Sequence, residues 1–406
     1  MDEKHKKHIV FLRKFESTAD WGGTEQVMLD WFKRINYSVC RVTLVVSPEV
    51  IHLFQQRMDH LNSPAEIIPF PFSLETPYPL RFRNMLGFFR KLKPSKIIFV
   101  HGWFEEFRWP DLLAGFLVCG RNMFIHENLG ETPPEPRQSR RYFGFIPGLA
   151  LWWHLRRWRL NCRTYFCKHV FTVSEGIRQR LISYWGYPKH KVKVIYHGVD
   201  AARYSPSMEM RDNLRKDFHL DSRDIVIIAT ARFTKQKRLE RLIEAFQAVA
   251  TQYKNLHLFL AGKGQLEAEL KELAMKGASG DRIRFLGEMK NVPDLLKMCD
   301  FYVLSSDNEG LSLALMEAMA SGLICISTHC PGSAEAIVDE VNGFLVDLSM
   351  EGVKSGLQKA LHLSLEERKL MVQQARKTVL EKFELNKNIE KLFKITGIPY
   401  QNASSK

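Results

Sequence analysis

Asn308-Glu309-Gly310-Leu311-Ser312-Leu313-Ala314-Leu315-Met316-Glu317-Ala318-Met319-Ala320-Ser321-Gly322 follows the apolar run Phe301-Tyr302-Val303-Leu304 and stops on a glycine. A short apolar run, a polar loop and an apolar-rich segment closed by Gly form the strand–loop–helix unit of a buried parallel sheet. Glu309 falls in the loop and Glu317 on the helix. Gly310, Leu311 and Ser312 stand where the helix begins. Backbone N–H groups point outward there with about half a positive charge, a setting that suits a diphosphate. Eight residues at helical rise separate the two carboxylates by about 12 Å. Glu317 is surrounded by Leu313, Ala314, Met316 and Ala318, so its carboxylate needs a partner.

Similar runs recur on both sides of this stretch. Before it come His8–Leu12, Val42–Val46, Lys96–Val100, Asn122–Ile125, Val170–Val173 and Val192–Ile195. The second half holds Ile225–Ala229, Leu256–Ala261, Ile283–Leu286, Phe301–Leu304, Ile324–Ser327 and Phe344–Val346. Amphipathic segments separate them. Roughly six strands per half predicts an α/β protein of two doubly wound Rossmann-like domains, facing across a deep cleft. The charged, Pro-containing stretch Gly198–Asp224 marks the seam, which gives domains at 1–200 and 201–383. Residues 384–406 hold a helix expected to cross back to the first domain, then a disordered tail. Ligands of such sheets sit beyond the carboxyl ends of the strands.

The chain has 406 residues, 45% hydrophobic and 26% charged, with a net charge of +14. Residues 1–200 hold 30 Lys+Arg against 18 Asp+Glu, and the rest hold 29 against 27. A basic first half beside a near-neutral second predicts an anionic partner for the first. Seven cysteines without a C-x-x-C pair do not resemble a disulfide framework or a zinc site, and fit a reducing compartment. The charged N-terminus running into Ile9-Val10-Phe11-Leu12 reads as a strand, not a signal peptide. No apolar run reaches the roughly 20 residues that span a bilayer. The expected location is cytoplasmic.

Glu309 and Glu317, with seven residues between them, match the E-x7-E signature of retaining GT-B glycosyltransferases, in particular the large family 4. The resemblance extends along the chain. Ala231-Arg232-Phe233-Thr234-Lys235-Gln236-Lys237 resembles the family's Gly-Arg-Leu…Lys-Gly segment, and Ala261-Gly262-Lys263-Gly264 its Gly-x-Gly turn. Phe285-Leu286-Gly287 and Val341-Asn342-Gly343-Phe344-Leu345-Val346 match two further strings, and Trp21-Gly22-Gly23-Thr24-Glu25 resembles the Gly-Gly-x-Glu loop. Ala231 and Arg238 stand where the family has Gly, and Leu323-Ile324 where it often has x-Pro-Val. The resemblance implies that Arg232, Lys237, Gly264, Gly310, Leu311, Ser312 and the Gly22-Gly23 loop bind a nucleoside-diphosphate sugar, UDP- or GDP-linked. Glu309 would then hold the donor sugar, Glu317 the ribose, and His126 would lie beside the reacting sugar. Catalysis would need no cofactor. The absence of any Asp-x-Asp string also argues against a metal-holding mechanism.

His101 and His126 follow successive strand runs, and with Glu127 they are read as acceptor-side residues. Ser174 in Thr172-Val173-Ser174-Glu175 reads equally as a family string and as a helix N-cap. Residues 137–168 put Arg137, Arg140, Arg141, Arg156, Arg157, Arg159 and Arg163 around Phe143–Trp153, the composition of an interfacial membrane element. Arg81–Lys93 has a similar composition but reads better as a helix packed on its sheet. The expected acceptor is a glycan or lipid-linked molecule at the inner face of the cytoplasmic membrane, as in bacterial lipopolysaccharide or surface-polysaccharide assembly. Three other classes stay open: a GT-B-fold sugar-nucleotide epimerase, a basic nucleic-acid-binding protein and an inactive membrane scaffold. No recognised nucleic-acid module occurs, so no nucleic-acid partner is expected.

Overall fold

The computed structural model describes residues 6–14, 22–73, 76–101, 107–128, 160–289 and 291–401, with Leu155 and Trp158. The chain divides into two compact units. Unit 1 comprises the residues up to Tyr196 and those from Lys387 onward; unit 2 comprises His197–Asn386.

Unit 1 is built on a parallel sheet of β1 (Lys7–Arg13), β2 (Cys40–Val46), β3 (Glu66–Pro69), β4 (Lys96–His101), β5 (Met123–Glu127), β6 (His169–Thr172) and β7 (Val192–Val194), in the order β3-β2-β1-β4-β5-β6-β7. Its central strands read as continuous apolar runs because helices cover both faces. Ile9 to Leu12 are all buried, and Phe11 sits in register with Leu44 on one side and Ile98 on the other. The covering helices are α1 (Gly23–Phe32), α2 (Ile51–His60), α3 (Tyr78–Leu92), α4 (Trp109–Cys119), α5 (160–166) and α6 (Glu175–Gln179). Ser174 is the N-cap of α6 and accepts the Ile177 N–H at 3.2 Å. α3 packs its Arg81, Met85 and Phe89 face inward, and the Arg81 guanidinium donates to Asp111 of α4 at 2.7 Å.

This sheet has seven strands, not the six expected. The additional strand, β3, is four residues long, ends on Pro69 and is only half-buried at Ile67 and Ile68. It is an edge strand, too short and too polar to form a run of its own.

Unit 2 has a six-stranded parallel sheet of β8 (Ile225–Thr230), β9 (Leu256–Ala261), β10 (Ile283–Gly287), β11 (Phe301–Leu304), β12 (Ile324–Thr328) and β13 (Phe344–Val346), in the order β10-β9-β8-β11-β12-β13. Its helices are α7 (Met208–Asp217), α8 (Leu239–Ala250), α9 (Glu267–Met275), α10 (Val292–Lys297), α11 (Leu313–Ser321), α12 (Met350–His362) and α13 (Leu365–Lys382), while α14 (Leu385–Thr396) belongs from Lys387 onward to unit 1. α8 buries Leu239, Leu242, Ile243, Phe246 and Val249, one stripe at helical spacing, against Leu258 and Leu260 of the sheet. Each such side chain contributes about 1.5–3 kcal/mol of burial.

After Asn386 the chain rejoins unit 1. Ile35 forms an antiparallel bridge with Tyr400, Asn36 N–H donates to the Pro399 carbonyl at 2.9 Å, and Gln401 N–H donates to Arg34 O at 2.8 Å. All seven cysteines are free thiols.

In both sheets the winding direction reverses at one place, between β1 and β4 in unit 1 and between β8 and β11 in unit 2. Crevices for ligands open at such reversals, beyond the strands' carboxyl ends.

Candidate functional site

In unit 2 the loops leaving β8 and β11 flank the reversal and are stitched together along their length. Asp307 N–H donates to Gln236 O at 3.0 Å, and the Gln236 amide donates to Asn308 O at 2.6 Å. Ser305 Oγ donates to Lys237 O at 2.8 Å. Arg241 reaches from α8 to Ser305 O and to Asp307 Oδ1, each at 2.8 Å. Burial alone would raise the Asp307 carboxyl, but hydrogen bonds and charge from Arg238 and Arg241 hold it below its ordinary value. This lattice sets Lys237 Nζ 2.6 Å from Glu309 Oε1, with side-chain exposures of 18% and 9%. Charge-assisted contacts of this length are strong where water is partly excluded.

Neighbouring backbone is packed against the same loops. Glycine is required at 264 because a Cβ there would lie 2.3 Å from Phe233 O, and at 262 because φ is +138° and a Cβ would meet Ala231 O at 1.9 Å. Gly264 is thus seated against the loop after β8. Its missing side chain admits the Phe233 backbone, and Phe233 N–H in turn donates to Lys263 O at 2.8 Å. Gly332 likewise lies against Gly310, and its N–H donates to Glu309 O at 3.1 Å.

Gly310, Leu311 and Ser312 are buried and lead into α11, where Ser312 is the N-cap and accepts Leu315 N–H at 3.3 Å. Glu317 lies on α11, and Tyr204 donates its hydroxyl to Glu317 Oε1 at 2.8 Å, which supplies a partner for that carboxylate. Arg232 is exposed on the loop after β8. Arg238, which stands where the resembled family has Gly, adopts φ +49°. The left-handed conformation is the physical reason for glycine at that position. Here Arg238 also pairs with Asp307 and with Glu240, the latter at 3.2 Å.

In unit 1, Gly22 and Gly23 open α1. Gly22 N–H donates to Glu25 Oε2 at 2.7 Å, while Glu25 Oε1 receives the Arg13 guanidinium at 3.1 Å from the end of β1. Trp21 lies outside the described residues. His101, His126 and Glu127 are not in loops: they are the terminal residues of β4 and β5, with Val100 opposite His126 and His101 opposite Glu127. All three are buried. The strands run further than their β-branched cores because buried partners satisfy the polar ends. Both Glu127 oxygens lie 3.1 Å from His101 Nδ1, the Arg163 guanidinium lies 3.7 Å from Oε1, and Asn128 donates to His101 O at 2.7 Å. Burial would push the Glu127 carboxyl up, but the adjacent His101 and Arg163 outweigh it and hold the group below its ordinary value. The His126 ring meets Trp31 of α1 edge-on, with centroids 4.9 Å apart.

Arg163 thus leaves the set of arginines expected to face a membrane. It is 2% exposed and serves Glu127. Of the 137–168 segment, residues 137–154, 156, 157 and 159 lie outside the described residues. Sequence reasoning also missed Arg13, Gln236, Asp307, Arg241 and Tyr204, whose partners are distant in the chain and carry no motif of their own. Among the described residues no cluster of His, Cys, Asp and Glu could hold a metal ion, and no helix is long and apolar enough to cross a membrane.

The chain matches the "Glycosyltransferase Family 4" model over residues 21–203 and the "Glycosyl transferases group 1" model over 210–378. An uncharacterized glycosyltransferase of Methanocaldococcus jannaschii is 30% identical over 225 residues, 54% of this chain and 57% of that protein. The N-acetyl-alpha-D-glucosaminyl L-malate synthase of Bacillus anthracis is 30% identical over 205 residues, 49% and 52%. The UDP-Gal:alpha-D-GlcNAc-diphosphoundecaprenol alpha-1,3-galactosyltransferase of Escherichia coli is 29% identical over 166 residues, 39% and 42%. The chain thus spans about half the length of the curated relatives it matches. Among solved structures, Anabaena HepE in complex with UDP superimposes with a TM-score of 0.76 at 17% identity, over 96% of this chain and 99% of that one. A glycosyltransferase from Rickettsia africae gives 0.75 at 17%, over 96% and 98%. With two doubly wound units, a model match on each and GT-B neighbours along nearly its whole length, the chain belongs to the group 1 (family 4) glycosyltransferases of the GT-B fold.

Proposed function

We propose that this chain is a retaining, metal-independent glycosyltransferase that moves a sugar from a UDP- or GDP-linked donor to a glycan or lipid-linked acceptor. The pathway is bacterial lipopolysaccharide or surface-polysaccharide synthesis, at the inner face of the cytoplasmic membrane. The observation that carries this reading is the Lys237–Glu309 contact at the winding reversal of unit 2. The name of the Escherichia coli relative, with its UDP-sugar donor and lipid-diphosphate acceptor, supports it.

In this reading Lys237 and Arg232 meet the diphosphate as it leaves, and the Gly310–Ser312 start of α11 adds backbone N–H groups. Glu309 turns from Lys237 to the donor-sugar hydroxyls as phosphate takes over the cation. Glu317, oriented by Tyr204, holds the ribose. Gly22, Gly23 and Gly264 are donor-binding, and Gly264 also seats the Arg232 loop. His126 lies beside the reacting sugar. His101 and Glu127 support the ends of β4 and β5 behind the acceptor. The transition state is oxocarbenium-like, and departure of the diphosphate and arrival of the acceptor share one face, with no covalent enzyme intermediate.

The test is a panel of nucleotide sugars read by thermal shift and by donor turnover. One donor should stabilise the protein and be consumed, and Glu309→Ala and Lys237→Ala should remove the turnover. Isomerisation of a donor without any acceptor would favour the epimerase instead. If no nucleotide or donor raises the melting temperature, the proposal fails.

A further inference from the structure

Among the described residues, the large aromatic side chains left exposed are Trp109 at 37%, Trp158 at 67% and Tyr165 at 66%, and all belong to unit 1. They lie on neighbouring elements. Trp109 opens α4, Tyr165 lies on α5, and Trp158 is helical just before it. Ring contacts join the elements: Tyr78 of α3 meets Trp109 at 6.2 Å, and Phe116 of α4 meets Phe166 of α5 at 5.8 Å. The side of α4 turned from the sheet carries Trp109, Leu113, Phe116 and Leu117 at helical spacing, with Leu117 56% exposed. Its single acidic or basic side chain, Asp111, is fully buried against Arg81. A surface helix without an outward charge has no solvation of its own to offer water.

The rim of this face is cationic. α3 presents Leu80, Arg83, Arg90 and Lys91 outward, and Arg108, Arg121 and Lys168 are exposed at the ends of α4 and after α5. Over residues 78–93, 107–121 and 155–168 the sequence contains one acid, the buried Asp111, against twelve Lys and Arg, of which Arg81 and Arg163 are buried and paired inside the unit. Exposed Trp and Tyr over an apolar helix, ringed by Arg and Lys without a counter-charge, match the boundary between lipid headgroups and acyl chains. A second copy of the chain would bring like charges together, and a nucleic acid would leave the Leu117 stripe unmatched.

We infer that α3, α4 and α5 form a docking surface for an anionic phospholipid bilayer, with Trp109, Leu117, Trp158 and Tyr165 entering the headgroup layer and the α3 cations bound to phosphate. This deepens the proposed function by naming the surface behind its membrane location, and it rests on that reading only for its purpose. Vesicle flotation of the full chain tests it without any catalysis. The protein should float with vesicles containing about one third phosphatidylglycerol, and bind pure phosphatidylcholine vesicles about tenfold more weakly. Trp109→Ser with Leu117→Ser, and Arg83→Glu with Arg90→Glu and Lys91→Glu, should each weaken binding about tenfold. Both variants should keep the parent's far-ultraviolet circular dichroism and urea midpoint, which shows that they fold. Leu365→Ser, at the most exposed leucine of unit 2, should bind as the parent does. Equal binding to both vesicle types, unchanged binding of both folded variants, or displacement from vesicles by duplex RNA or DNA would overturn the inference. Vesicle binding without use of any donor would leave the docking surface standing and sink the enzymatic proposal; the reverse result would do the opposite.

Discussion

The carboxylate of Glu127 in unit 1 has no exposed surface and is answered inside the chain by His101 and Arg163, whereas that of Glu309 in unit 2 keeps 9% of its surface beside a lysine that keeps 18%. Both stand at the carboxyl end of a parallel sheet, and both have a cation within reach. The difference is solvent access. A sealed cluster exchanges partners with nothing, so its charges serve the fold. A half-open pair can release its cation to an incoming anion, so its charges can serve a ligand.

Substitution at the open pair should separate activity from stability most widely. Lys237→Ala or Glu309→Ala should lower sugar transfer by about 10²–10³-fold, as the loss of one transition-state contact does, while the urea midpoint stays near that of the parent. A collapse of the midpoint with normal turnover would erase the contrast. Glu127→Gln should do the reverse, costing about 3–5 kcal/mol in urea unfolding because it strands buried Arg163. Sealed groups in both units should also govern acid stability, His197 in unit 2 and Glu127 in unit 1. Burial pushes His197 down to about 3 from 6.5. The unfolded chain then binds that proton first, so stability is complete above pH 6.5 and is lost as pH falls from 6.5 toward 3. Glu127, held below 4.5, adds a further loss below that pH. His197→Gln should flatten the slope between pH 6.5 and 4.5 in melting curves. The smallest effect belongs to Arg238→Gly. It relieves a left-handed backbone worth about 1 kcal/mol and removes exposed ion pairs worth about 0–1 kcal/mol, so the melting temperature should hardly move.

The strands were readable because each buried run, such as Ile225–Ala229 or Leu256–Ala261, is largely apolar and bounded by polar loops. β3 was not, since an edge strand of four residues lacks that contrast. Residues on a motif, Lys237 and Glu309 among them, could be named from the family resemblance that the motif carries. That they touch could not, because 72 residues separate them and a lattice of loop hydrogen bonds, invisible to periodicity, brings them together. Arg163 was misread for a related reason: an arginine in a basic, aromatic stretch looks like its neighbours until a buried carboxylate at the end of β5 claims it. Arg238 shows the limit from another side, since φ +49° at a non-glycine leaves no trace in composition.

The return of residues 387–401 to unit 1 has a consequence for synthesis. The segment that pairs with Arg34 and Asn36 leaves the ribosome only after all of unit 2 has been made. At ordinary elongation speeds, that is a wait on the order of ten seconds or more. During that time the apolar surface later covered by Ile389, Leu392 and Phe393 is open, and a nascent chain held there is the natural client of a chaperone.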